Sequence, residues 1–468
     1  MIDGIIIAAY LLLTLVLGIW AARNVTSPEE YKTGGRQYSS WVVFATLSAS
    51  FIGGGFTIGL AEKSFLFGIA YPLAMLGFSL KEVLVAKFIA PRMKAFKDAM
   101  TVGDIMVKAY GSKARFISGV ASVLVCSGII GAQILACGNI LYTLLGTPII
   151  YGSLITAGIV VIYATYGGMK SVVAVDILHF SILIIMLPLV LVFALSDIGG
   201  VTELISGVPE SHLSPIESIG WISVFLLFLS FFLGETLIPP YVQRLLIGKT
   251  TADTKQGTLF SGLLSVPFFL MIGSIGMCAY VLNSDLQPNL ALPHVINTVM
   301  PVGLKGLAIA GLLAVVMSSA DSFLNSTAIA MTNDVLAPLG FKAKNPKDEL
   351  LFSRGITFAI GLLAIVFALN TTSVLDLLLY SYQFWTPFIL VPLLAAIFQV
   401  RSSDRTFLVS ALVGISSVVW WNLTFPQSRI DGALESVIFG ISMNSITFWL
   451  CHKYIFAKTA PLVQESRV

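Results

Sequence analysis

Residues 48–56 read Ser48-Ala49-Ser50-Phe51-Ile52-Gly53-Gly54-Gly55-Phe56, inside an apolar run over about 41–60. Each glycine costs a helix about 1 kcal/mol relative to alanine. Three in succession let the backbone unwind, and unwound carbonyls cannot be satisfied by hydrocarbon. They must face protein, water or an ion. The competing reading is a close helix–helix contact through small residues, which needs fewer glycines than this. Depth in a membrane follows from composition. Over 468 residues the chain is 57% hydrophobic and 11% charged, with a mean hydropathy of +0.92. An ordinary soluble domain is about 25% charged, so a soluble enzyme is excluded. Disorder needs low hydrophobicity and is excluded too. A net charge of +3 gives no basic footprint for nucleic acid. Cys126, Cys137, Cys278 and Cys451 lie in or beside apolar stretches, without disulfide or zinc spacing.

A helix crosses about 30 Å of hydrocarbon with roughly 20 apolar residues. Windows of that size predict thirteen spans, near 4–22, 41–60, 67–89, 115–144, 148–166, 171–195, 219–245, 258–283, 304–333, 352–370, 374–399, 406–424 and 433–456. The fold class expected is an all-α polytopic membrane protein, one transmembrane domain over 1–468. The first span lacks an A-x-A-like cleavage site, and Asp3 precedes it while Arg23 follows, so it reads as a retained helix. With the N-terminus outside, 22 of the 27 Lys and Arg fall in cytoplasmic segments and three outside. The positive-inside rule therefore predicts N-out and C-in, in a bacterial-type inner or plasma membrane.

Charges within a bilayer are costly and mark pathways or pair with one another. The intramembrane set is Lys81, Glu82, Asp176, Glu235 and Asp321, with Asp376 near a span end. The seventh span carries Gly234-Glu235-Thr236-Leu237-Ile238-Pro239-Pro240-Tyr241, where two prolines break the helix. Interrupted spans two and seven are five apart. Such pairs point to a transport site built from inverted repeats, here 41–195 and 219–399, with 4–22 and 406–456 as extra helices. In the ninth span Ser318, Asp321, Ser322 and Asn325 share a helical face, bordered by Ser319. Hard oxygen ligands of this kind suit Na⁺; the alternative is polar glue between helices.

On these residues the chain resembles the sodium:solute symporter family, with its LeuT-type 5+5 inverted repeat. The resemblance rests also on Glu30–Arg36, on Tyr166-Gly167-Gly168-Met169-Lys170-Ser171-Val172-Val173 with Asp176, and on Gln243-Arg244-Leu245-Leu246. It implies a main sodium site at Ala49, Ile52, Val315, Ser318 and Ser319, and a second one, found in some members, at Asp176, Ser318, Asp321 and Ser322. One or two Na⁺ ions are expected. The glycine-rich break is similar to the high-affinity choline branch, whose aromatic cage holds a quaternary ammonium. Phe51 and Phe78 fall on cage positions, and Ile238 stands where an aromatic is expected. Gly53, Gly54, Gly55 and Phe56 border that solute position, and Tyr380, Gln383 and Trp385 of the eleventh span are placed to close it. Lys81 and Glu235 either pair with each other or hold a charged or zwitterionic solute.

The function expected is a Na⁺-coupled symporter that imports a small polar organic solute by alternating access, choline- or betaine-like or amino-acid-like. The alternatives are a proton-coupled transporter of the same fold, with Asp176 or Asp321 carrying the proton, and a channel-like or sensor membrane protein. No enzyme is expected, because His179, His212, His294 and His452 are scattered and lack a catalytic motif. The partners expected are the solute and the lipid bilayer.

Overall fold

A computed structural model describes residues 2–234, 236–341, 343–370, 383–400, 402–425 and 432–455. Regular structure among them is helical, apart from one isolated parallel bridge between Tyr38 and Gly248. Among the described residues eight helices are long and apolar enough to cross a membrane, or nine when one bent pair counts as a single span. The other expected spans are divided or only partly described. Residues 67–89 contain two short helices, Ala70–Ala74 and Leu76–Leu84, and a π-turn, Val85–Ile89; 219–245 split at prolines; 374–399 is described from Gln383 on.

The helices that position the site are α1 (Ile2–Ala22), α2 (Ser40–Phe51), α3 (Leu60–Phe67), α4 (Leu76–Leu84), α5 (Ser112–Leu145), α6 (Ile149–Gly167), α7 (Met169–Ile198), α8 (Trp221–Leu233), α9 (Pro239–Leu246), α10 (Thr251–Leu282) and α11 (Leu304–Ala330). Helix α12 (Pro346–Leu369), α13 (Val391–Ile397), α14 (Asp404–Thr424) and α15 (Gly432–Leu450) follow.

Helix α11 is the axis. It packs against α1, α5, α6 and α7, and 94% of its most apolar window is buried, against 33% for α1. Its composition explains both facts: apolar residues meet neighbours on every side, so its polar residues also lie inside protein. Asp3 on α1 accepts hydrogen bonds from the Gly303 and Gly306 N–H groups, at 2.8 and 2.9 Å. A carboxylate there satisfies free donors at the start of α11 and suits its positive end. Helices α14 and α15 pair with each other. Asn444 ties them to the turn before α13, donating to the Pro387 carbonyl at 2.7 Å.

Candidate functional site

The first break is shorter than the glycine run. Only Ile52 and Gly53 leave the helical state; Gly54 and Gly55 already begin the next helical segment. The two halves meet at 68°. Both sequence readings of the glycines turn out to describe the same place. The chain unwinds, and it also makes a close contact. A Cβ on Gly53 would lie 2.8 Å from the Ser319 Oγ and 3.3 Å from the Gln133 Nε2. A Cβ on Gly55 would meet nothing within 4 Å.

Oxygens converge where this break meets α11. The Ser318 hydroxyl lies 2.9 Å from the Ala49 carbonyl and 3.0 Å from that of Val315. The Ser319 hydroxyl lies 3.2 Å from the Ser50 carbonyl and 3.4 Å from that of Val315. All these residues are buried, as is Ile52 at the break. The set is neutral, hard and multidentate, which fits an alkali cation. Ser50 enters this group although sequence reasoning passed over it.

A second polar cluster lies next to it. Asp176 accepts from the Thr46 hydroxyl. Asp321 accepts from the Tyr163 hydroxyl and, at 3.2 Å, from Ser322. Ser322 in turn lies 3.0 Å from the Ser50 hydroxyl. The hydroxyl of Ser318 serves the first group instead. Arg244 is the unexpected member. Counted from sequence among the cytoplasmic cations, it is fully buried, donating to Ser322 at 2.5 Å and to Asp176 at 3.3 Å. All eight residues of α9 are buried, because the prolines that end the seventh span start a short helix inside the protein. Asp176, His179 and Asp321 bring ligand atoms within 4.8 Å of one another. Both His179 ring nitrogens, Asp176 Oδ1 and two Arg244 nitrogens have no hydrogen-bond partner among the described residues. Sequence reasoning set His179 aside because the four histidines are scattered and lack a catalytic motif; Asp176 is three residues away, and Asp321 comes from another helix.

Between the two breaks lies a cavity of about 20 Å³, room for about one water. Phe51, Phe78, Ile238, Tyr241 and Phe323 form its apolar walls, with Ser50 and Lys81 as polar edges. Phe51 and Phe78 rings are 4.6 Å apart, and Phe56 packs behind them, 5.2 Å from Phe78. Lys81 does not stand alone: its ammonium is 2.6 Å from Glu82, whose other oxygen accepts from the Tyr241 hydroxyl at 2.8 Å. Gly53 and Gly54 turn toward Gln133 and α11 rather than the cavity, and Gly55 is exposed. Gln383 meets Asn422 at 3.4 Å, and Trp385 is fully buried; neither lines the cavity. Glu235, Asp376 and Tyr380 lie outside the described residues. At the second break Leu237 takes a positive φ of 57°, and the freed Gly234 carbonyl accepts from the Thr386 hydroxyl at 2.6 Å.

Comparison with known proteins fits this architecture. Residues 31–414 match the model of the sodium:solute symporter family. The chain is 24% identical to a sodium/glucose cotransporter of Vibrio parahaemolyticus, over 95% of this chain and 85% of that one. It is 23% identical to an osmoregulated proline transporter of Bacillus subtilis, over 94% and 93%. The human high affinity choline transporter 1 is 27% identical over 80% and 69%. The choline branch is thus one of several distant relatives. A solved Na⁺-coupled sialic acid symporter, in a substrate-bound outward-open state, superposes with a TM-score of 0.85 at 17% identity, over 96% and 97% of the two chains. That likeness shows the fold, which is LeuT-type.

Proposed function

The chain belongs to the sodium:solute symporter family, and from that membership we propose that it imports a small polar organic solute by alternating access, with Na⁺ seated between the α2 break and α11. It is an integral membrane Na⁺-coupled symporter, not an enzyme. The observation that carries the proposal is the meeting of Ala49, Val315, Ser318 and Ser319 oxygens at one break.

Those oxygens come from two elements that must separate for the site to open. A cation between them favours the joined arrangement. The solute cavity shares Ser50 with that junction, so each ligand stabilises the arrangement the other needs. Such reciprocal coupling is typically about 1–3 kcal/mol. The two repeats, 41–195 and 219–399, then rock to open the site inward, and Na⁺ leaves into low cytoplasmic sodium. The membrane potential contributes about 2.3 kcal/mol per charge per 100 mV. A second sodium ion belongs at Asp176, Asp321 and Ser322. There two carboxylates face one guanidinium, which leaves one negative charge to neutralise.

The test is thermal unfolding of purified protein in NaCl against KCl at equal ionic strength. Sodium at 100 times its Kd stabilises by about 2.7 kcal/mol, so Tm rises in NaCl. Ser318→Ala and Ser319→Ala are expected to fold normally in KCl and to lose most of that rise. A full sodium response in both variants would remove the site from this junction.

A further inference from the structure

The geometry points to a carboxylate as the solute group that this site recognises: a compact monocarboxylic acid with an apolar body, held by the Lys81 ammonium. The inference rests on the symporter reading above and adds its substrate class.

Three observations carry it. First, the aromatic corner that a quaternary ammonium would need is already taken. The Lys81 Nζ sits 3.7 Å from the centroid of the Phe78 ring and 4.9 Å from that of Tyr241. A tethered cation thus fills the cation–π position, so a second cation finds those ring faces occupied. Second, Lys81 has donor capacity left. An ammonium carries three N–H groups. One goes to Glu82, while the side chain borders the cavity. Glu82 is fully buried and both its oxygens are engaged, by Lys81 and by Tyr241. It therefore holds Lys81 in place. Third, the remaining walls are apolar rings and aliphatic chains, with Ser50 as a further polar lining residue and the Tyr241 hydroxyl already given to Glu82. That lining suits an apolar body bearing one anionic end, which enters when the cavity, here about 20 Å³, widens on opening.

The charge balance links solute to sodium. Lys81 and Glu82 are together neutral, so an entering carboxylate brings one unbalanced negative charge. A sodium ion at the adjacent break supplies the opposite one. An anionic solute thus binds well only when sodium is present.

The test uses the same purified protein and Tm readout, with butyrate and benzoate as probes and choline, glycine betaine and L-proline as comparators. In NaCl, butyrate or benzoate is expected to raise Tm beyond sodium alone, and choline is not. Lys81→Met combined with Glu82→Gln removes the charged pair without leaving an orphan carboxylate. That variant is expected to keep the sodium increment and lose the carboxylate increment. Lys81→Arg keeps the charge and is expected to retain a weakened carboxylate response, which serves if the double variant does not fold. The inference is overturned by a choline response, by a response to proline or betaine without one to the simple acids, by silence toward both acids, or by a carboxylate increment that survives in the double variant. Absence of a sodium increment in the unmodified protein would instead strike the symporter site itself.

Discussion

Asp321 shows how one side chain sets the ionic character of the core. Arg244 is paired directly with Asp176, while Asp321 accepts from the Tyr163 and Ser322 hydroxyls and forms no ion pair among the described residues. A buried carboxylate without a counter-charge is strongly unfavourable. Asp321→Asn keeps the shape and an acceptor for Tyr163 but removes the charge. Two effects of opposite sign are expected. The variant should melt higher than the unmodified protein in sodium-free buffer, and its Tm should respond less to sodium. If a second ion binds there, the sodium titration changes from cooperative, with a Hill coefficient above one, to simple. A titration curve identical to that of the unmodified protein would leave Asp321 without an ion. Arg244 itself is a poor probe, because truncating one partner of a buried pair typically costs about 3–5 kcal/mol. Its burial was hidden in the sequence. A cation at the very end of an apolar span, as at 219–245, reads as one that reaches the cytoplasmic edge, and only the turn into α9 carries it inward. The partner of Lys81 was hidden for a related reason. Neighbours at i and i+1 do not face each other on a helix surface, yet the long flexible Lys81 chain curls back to Glu82.

The two helix breaks were legible because glycine and proline act through local backbone physics that needs no partner. What the sequence left open was which glycine does what. Gly53 permits contact with Ser319, whereas the place where Gly55 would carry a side chain is open. Gly53→Ala and Gly55→Ala therefore make a matched pair. The first inserts a methyl group against the Ser319 hydroxyl and is expected to cost about 1–3 kcal/mol. It should also push the break away from α11 and abolish most of the sodium-induced rise in Tm. The second should leave both stability and sodium response close to unchanged. Equal loss in the two variants would mean that flexibility of the whole glycine run, rather than close approach at one residue, makes the site. The polar strip on α11 was legible from its spacing, since Ser318, Asp321, Ser322 and Asn325 all turn to protein partners. The positions of Gln383 and Trp385 were not, because an aromatic-rich span shows no periodicity that separates cavity from packing.

Across the whole molecule the two broken elements are also joined outside the site. The Lys249 N–H donates to the Tyr38 carbonyl at 2.8 Å, and the Tyr38 N–H to Ile247 at 3.4 Å. The segment entering α2 is thereby tied to the segment leaving α9, and the two halves of the cavity share a common base. If inward opening occurs on that side, it lies at the cytoplasmic face, which makes the sidedness of the chain part of the mechanism. The charge asymmetry predicts N-out and C-in, and the burial of Lys32 and Arg244 removes only two of the 22 cations behind that prediction. Cysteine labelling can decide it with little background, since Cys126, Cys137, Cys278 and Cys451 are all buried. Glu210 and Lys347 are exposed and stand in segments expected on opposite faces. Glu210→Cys should react with a membrane-impermeant maleimide in intact cells, and Lys347→Cys only after the membrane is opened. Reversed labelling would invert the chain and place the Tyr38–Lys249 base on the outer face. The sodium gradient would still drive the solute inward, with the inner and outer gates exchanged between the two faces.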